Sequence, residues 1–241
     1  MVSRFFFPEP LPQGDCFELP DALAHHAVRV LRLSAGERIV LFDGFGGEVE
    51  AVLEGQGKRW SARLVERRAT ERESPLQIVL VQALASADKM DWVVQKAVEL
   101  GVSGVIPVRA ARSVLKLTGE RADKRVAHWR EVAVSACEQS GRNRVPDVAR
   151  IADLRDYLAQ TRGGPQRLIL DPVGGRRLAD IGRPQAACHV LIGPEGGWSD
   201  DELAACRAAG CEGVTLGPRV LRTETAGLAA LAALQALWGD F

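Results

Sequence analysis

The sequence predicts an α/β fold in two parts, a small β-rich module over residues 1–70 and a mostly parallel α/β domain over 75–241. Three observations carry this. Residues 37–66 alternate in polarity between turn signals, as strands with one covered face do. From residue 76 onward, short apolar runs alternate with segments of helical period. Between them lies ERRATERESP at 66–75, charged, free of large apolar residues and closed by Pro75, which reads as a domain boundary. With 241 residues, 46% of them hydrophobic, the chain is long enough to bury a sizeable core.

In chain order, Asp21 through Leu33 reads as a helix with Ala24, Ala27, Val28 and Leu31 on one face, ended by Ser34-Ala35-Gly36. Residues 37–42 form the next strand and Asp43-Gly44 the turn. Residues 48–53 alternate as a half-exposed strand, and 60–66 alternate again. In the second part, 76–81 is an apolar run suited to a strand buried on both faces. Residues 88–100 come next as a helix with Met90, Val93, Val94, Ala97 and Val98 inward and Gly101 as the stop. Strands are expected at 105–108, 167–170, 189–192 and 213–216, and helices at 121–140, 151–160, 199–209 and 224–238. The last helix is apolar nearly all round, through Leu228, Ala229, Leu231, Leu234, Leu237 and Trp238, so it needs cover on several sides.

Composition excludes several function classes. The formal net charge is zero, so any nucleic-acid affinity must come from local patches. Residues 109–150 hold ten Arg/Lys against five Asp/Glu, and 58–72 hold six against two. Such stretches read first as a solvated face and second as phosphate contacts. Five cysteines at irregular spacing include no CxxC pair, so no zinc ribbon or other metal site is expected. Buried, inert thiols in a reducing compartment are the expectation. No signal peptide and no run of membrane-spanning length is present, and a cytoplasmic protein is expected.

The chemistry-bearing candidates are two loops near the C-terminus. Gly193-Pro194-Glu195-Gly196-Gly197 follows a buried strand and precedes a helix that opens with a Ser199–Glu202 capping box. Glycines at the carboxyl end of a parallel strand let backbone approach a ligand closely. Alone, this loop fits a plain strand–helix turn equally well. The second loop, Leu216-Gly217-Pro218-Arg219-Val220-Leu221-Arg222-Thr223-Glu224-Thr225-Ala226, again joins strand to helix and concentrates hydrogen-bonding side chains beyond what a connector needs. Two such loops on neighbouring strands would form a cleft, and Leu170-Asp171-Pro172-Val173-Gly174-Gly175 is a third strand end of the same style. No GxGxxG opens a βαβ unit, and no GxxxxGK[ST] is present. No nucleophile–histidine pair stands out, and His189, inside a buried strand, reads as a satisfied core histidine.

These loops, in this order, resemble the SPOUT superfamily of methyltransferases. The chain is similar over nearly its whole length to the branch that methylates N3 of a uridine in 16S ribosomal RNA. The likeness includes Arg4-Phe5-Phe6, His25 through Arg32 with Asp43-Gly44, Lys89-Met90-Asp91, 95–102, 136–146, 192–197 and 216–226. Ser140 departs from the familiar pattern, where a cysteine stands.

The resemblance implies an N-terminal PUA-like β-barrel, a C-terminal SPOUT domain tied in a deep trefoil knot, a homodimer, and S-adenosylmethionine as cofactor. It implies a cofactor site of Leu170, Ile192, Gly193, Pro194, Glu195, Gly196, Leu216, Gly217, Leu221, Thr223, Glu224, Thr225 and Ala226. RNA contacts are expected from Arg4, Arg29, Arg32, Arg142, Arg144 and Arg219. Uridine N3 carries a proton that must leave before the nitrogen is nucleophilic. Glu224 is the candidate base, or equally a residue placed at a helix start by the dipole. Arg222 and Arg142 are candidates to stabilise the uridine anion. Methylation of a ribose 2′-oxygen or another base, and a non-catalytic RNA-binding module, are the competing readings.

Overall fold

A computed structural model describes residues 2–57, 59–171 and 174–241. The chain divides into two units. The first is Met1–Glu73 with Cys137–Val145, and the second is Ser74–Ala136 with Pro146–Phe241.

The first unit holds β1 (Ser3–Phe6), β2 (Cys16–Glu18), α1 (Asp21–His25), a π-turn (His26–Val30), β3 (Arg38–Phe42), β4 (Glu48–Gln56) and β5 (Arg59–Arg68). Its sheet runs β1-β3-β4-β5-β2, with β1 parallel to β3 and the other pairs antiparallel. Phe5, Phe17, Leu23, Ile39, Leu41 and Leu53 form its core. The single helix expected over 21–33 is interrupted. The π-turn adds a residue to the turn and rotates the residues beyond it, so Leu23 is buried while Leu31 is 46% exposed. Arg32 then takes φ 59°, rare for a residue with a side chain.

Strand β4 departs from the expected alternation, because Glu48 and Glu50 are buried. A buried carboxylate needs paired charge and hydrogen bonds. Glu48 Oε2 accepts from Arg4 at 2.6 Å and from Arg72 at 3.2 Å. Arg68 donates to Glu50 at 2.7 Å and Arg38 pairs with its other oxygen. Arg4 also donates to Asn143 Oδ1 at 2.6 Å and lies over the Phe42 ring at 5.2 Å. Segment 137–145 therefore belongs to this unit although the sequence pattern places it in the second domain. Its partners are sequence-distant: Phe6 N–H donates to Glu138 at 2.9 Å, and Asn143 Nδ2 donates to the Thr70 carbonyl at 2.8 Å.

The second unit contains β6 (Ile78–Ala83), α2 (Ala87–Glu99), β7 (Gly104–Arg109), most of α3 (Gly119–Ser140), β8 (Asp147–Val148), β9 (Ala152–Asp153), α4 (Leu154–Gln160) and β10 (Gln166–Leu170). It continues with β11 (Arg176–Arg177), β12 (Cys188–Ile192), α5 (Asp200–Ala208), β13 (Glu212–Thr215) and α6 (Thr223–Trp238). The sheet order is β11-β13-β10-β12-β6-β7-β8, with β9 also on β7, and every described pair is parallel. Helix α2 buries the five residues its period predicts. Gly101 follows at φ 80°, and a Cβ there would lie 2.8 Å from Gln235 Nε2. That fully buried glutamine on α6 donates to the Leu100 carbonyl at 3.0 Å and accepts from Ser74 Oγ at 2.6 Å. Helix α6 is thus locked to the end of α2. Its Leu231 and Leu234 are buried, but Leu237 is 43% exposed.

His189 and Tyr157 form a buried pair at 2.9 Å, so the histidine is a satisfied core residue. Four of the five cysteines are buried and all are free thiols. Among the described residues, no helix is long and apolar enough to cross a membrane.

Burial opposes ionisation of Glu48, but the hydrogen bonds and charges of Arg4 and Arg72 outweigh it and hold the carboxyl at about 2, against an ordinary 4.5. A carboxyl lowered on folding stabilises the fold above its unfolded value, and that contribution is lost as pH falls through the folded one. We predict that Glu48→Gln destabilises the protein at pH 7 by about 3 kcal/mol. It also removes part of the wild type's decline between pH 4.5 and about 2. Thermal melts followed by circular dichroism across that range check both; an unchanged acid decline would reject the assignment.

Candidate functional site

The parallel sheet sends the carboxyl ends of β13, β10, β12 and β6 to one edge. A cavity of about 620 Å³ opens there, a volume typical of small-molecule sites. Strands β12 and β13, which carry the two glycine-bearing loops, are not the neighbours that the sequence suggests; β10 lies between. The end of β10 therefore belongs to the cavity, through Leu170 and Asp171. Of the third loop, residues 172 and 173 lie outside the described residues. Asp171 is buried, accepting from Gly174 N–H at 3.2 Å and from Arg207 at 3.1 Å.

The loop after β12 is fixed from several directions. Ser199 and Glu202 form the expected capping box, with Glu202 N–H to Ser199 Oγ at 3.3 Å and Ser199 N–H to Glu202 at 2.9 Å. Arg112 donates to the carbonyls of Gly196 at 3.1 Å and Trp198 at 3.2 Å. A Cβ on Gly193 would meet the Trp198 ring at 3.3 Å, and one on Gly196 would meet Arg112 Cβ at 3.0 Å. Two of the loop's glycines thus permit close packing behind the cavity. Glu195 reaches back to the start of α2, accepting from Ser86 N–H at 3.1 Å with Lys89 Nζ at 3.5 Å. Burial pushes its pKa up, but the backbone N–H groups of Ser86 and of Glu195 itself, with the Lys89 ammonium, outweigh this and hold it below the usual range.

The second loop is tied to the first by one hydroxyl. Thr223 Oγ1 donates to the Gly193 carbonyl at 2.6 Å and accepts from Gln82 Nε2 at 2.9 Å. Gln82, at the end of β6, is fully buried and also donates to the Ala83 carbonyl at 3.0 Å. Sequence reasoning missed Gln82 and Lys89. A glutamine in an apolar strand was the available signal for Gln82, since a buried amide requires partners. For Lys89 the signal was its place in Lys89-Met90-Asp91, a segment of the resemblance with no chemistry attached to it.

Most residues singled out from the sequence meet at this cavity. Leu170, Ile192, Leu216, Leu221 and Ala226 give apolar walls, while Gly193, Pro194, Glu195, Gly196 and Thr223 line it from the loops. Trp198, at the end of the first loop, completes the apolar wall with Leu203 and Val214, which were not anticipated. Gly217, Glu224 and Thr225 are not among the lining residues. Gly217 takes φ 126° with open space beside it, so its part is the turn. Glu224 turns toward Lys89, 3.2 Å from Nζ, and Thr225 is on the exposed side of α6. Arg219 and Arg222 line the cavity and are exposed.

The remaining arginines divide sharply. Arg142 is 4% exposed and forks onto Glu73, with Nε to Oε1 at 3.1 Å, and it is absent from the cavity lining. Arg4 is enclosed by Glu48, Asn143 and Phe42. In this structure each guanidinium is engaged by acceptors of the first unit, Glu48 and Asn143 for Arg4 and Glu73 for Arg142. Arg144 is about half exposed and pairs with Glu71 at 2.9 Å. Arg29 and Arg32 are exposed on and after the π-turn.

Against known proteins, residues 72–235 match the RNA methyltransferase domain family and residues 19–66 match the RNA methyltransferase PUA domain family. The ribosomal RNA small subunit methyltransferase E of Mycobacterium bovis is 35% identical over 98% of this chain and 93% of its own. The protein of the same name from Bacillus subtilis is 32% identical over 97% and 96%. Among solved structures, the ribosomal RNA small subunit methyltransferase E of Neisseria gonorrhoeae, bound to S-adenosyl methionine, is 44% identical with a TM-score of 0.93 over 100% of both chains. A putative methyltransferase from Legionella pneumophila in complex with the same cofactor is 34% identical with a TM-score of 0.94, again over 100% of both. An RNA methyltransferase domain with its cavity at the carboxyl edge of a parallel sheet, preceded by a PUA domain, makes this chain a member of the RNA methyltransferase family.

Proposed function

We propose that this protein transfers the methyl group of S-adenosylmethionine to N3 of a uridine in 16S ribosomal RNA of the small subunit. The observation that carries the cofactor assignment is the cavity at the joined loop ends, with apolar walls at Leu170, Ile192 and Leu221 and open backbone at Gly193. Apolar walls suit the adenine faces, and loop backbone suits its polar edge. The cofactor supplies an activated methyl on a sulfonium leaving group, so the chain's work is binding, orientation and electrostatics. Arg222 at the rim suits stabilisation of the uridine anion. Glu224 is the candidate to take the N3 proton, and the Lys89 ammonium beside it holds it in place.

The likeness supports four further readings. Residues 1–70 act as a PUA-like RNA-binding domain, with Arg29 and Arg32 offering phosphate contacts, and Arg144 and the cavity-lining Arg219 offer further ones outside that span. Residues 75–241 thread as a deep trefoil knot around the cofactor site, a reading favoured by β12 lying between β6 and β10 while α6 packs on β6, β12 and α2. A chain trace in experimental density tests that threading. The half-covered apolar side of α6, including Leu237, is the dimer contact. The protein works in the cytoplasm with its substrate, which cell fractionation checks.

Incubating the protein with small subunits from cells lacking the activity, plus cofactor, should produce 3-methyluridine by nucleoside mass spectrometry. A ribose 2′-O-methyl or another methylated base would instead reject the N3 assignment. Light scattering at micromolar concentration should give twice the chain mass, and a monomer there would remove the dimer reading. Two substitutions at the start of α6 separate binding from turnover. Thr223→Val strands the Gly193 carbonyl and a Gln82 donor, each worth about 1–3 kcal/mol, so calorimetry should show cofactor affinity falling tenfold or more. Glu224→Gln should lower turnover at saturating cofactor by roughly 100-fold if the carboxylate is the base; near-normal turnover would rule it out.

A further inference from the structure

Lys89 lies in the first turn of α2, and its side chain is 28% exposed. Its Nζ stands 3.5 Å from Glu195 Oε1 and 3.2 Å from Glu224 Oε2. One carboxylate comes from the loop after β12 and the other from the first turn of α6. Glu224 Oε2 is shut off from solvent and makes no hydrogen bond, so the ammonium is the group that compensates it. Lys89 and Glu195 both line the cavity.

We propose that Lys89 is a positioning residue, fixing Glu195 at the cavity and Glu224 close behind its lining, and offsetting their charge so that they do not over-stabilise a bound sulfonium. The inference rests on the reading of the cavity as the S-adenosylmethionine site. Methyl transfer breaks a carbon–sulfur bond, leaves its electron pair on sulfur as a neutral thioether, and forms a carbon–nitrogen bond with the pair on N3, whose proton has gone to a base or to water. Positive charge therefore leaves sulfur as the reaction proceeds. Two uncompensated carboxylates would favour the charged reactant over the transition state, tightening binding and slowing transfer. A cation between them reduces that bias. The other cations lining the cavity, Arg219 and Arg222, are exposed, where water and salt screen them.

The test is calorimetric titration of the unaltered protein, Lys89→Met and Lys89→Arg with S-adenosylmethionine and with its neutral product S-adenosylhomocysteine, alongside kcat on small subunits. Lys89→Met should shift the affinity ratio toward the charged ligand by about tenfold and lower kcat, while Lys89→Arg restores both. Retained binding of the neutral thioether shows that the methionine variant is folded. A ratio unchanged in Lys89→Met, or affinity lost equally for both ligands, overturns the charge-offset role. If the unaltered protein binds neither ligand, the cofactor reading fails first and this inference falls with it.

Discussion

One hydroxyl holds the functional edge of the second unit together. Thr223 Oγ1 receives the Gln82 amide from the end of β6 and donates to the Gly193 carbonyl at the end of β12. Three segments far apart in the chain meet at that atom. Remove it and the buried amide and the carbonyl are left unpaired, with a penalty large on the scale of one side chain. Helix α6 begins at this point, and Gln235 fastens its other end to the close of α2. The cavity therefore meets the first turn of a helix that is anchored at both ends. The glycines of the first loop serve the same end, since Gly193 and Gly196 admit Trp198 and Arg112 close behind the backbone.

The first unit is organised by a different constraint, the pairing of buried charge. The buried Glu48 and Glu50 are met by arginines, Arg4 among them, and the buried Arg142 is met by the half-buried Glu73. Basic residues in a run are thus of two kinds. Those whose guanidinium satisfies a buried acceptor hold the fold, whereas Arg29 and Arg32 face solvent at a turn with non-standard geometry. Strained backbone of that sort clusters at functional positions, consistent with the RNA-facing part proposed for these two. A count of charges along 109–150 does not separate the two kinds.

Periodicity made most elements of the second unit legible. Helix α2 buries the five residues its spacing indicates, the capping box before α5 forms, and strands β7, β10, β12 and β13 fall within a residue or so of expectation. The glycine-bearing loops stand at strand ends because a parallel sheet places its loops there. By contrast, β8, β9 and β11 have two residues each, too short to carry a pattern. The break in the helix at 26–30 has no signal in local propensity.

The amino-acid order by itself determined the two-part α/β architecture and the position of both loops, because each is set by local period and turn chemistry, while the apolar walls of the cavity were expected from the family resemblance alone. Only the tertiary structure decided that β10 separates the two loop-bearing strands, that residues 137–145 belong with the first unit, and that Arg4 and Arg142 are enclosed. It also decided that Gln82 and Lys89 belong to the site. The reason is physical. Hydrogen bonds and ion pairs between residues more than 100 positions apart leave no periodic trace along the chain, and they exist only once the sheet has brought their partners to one edge.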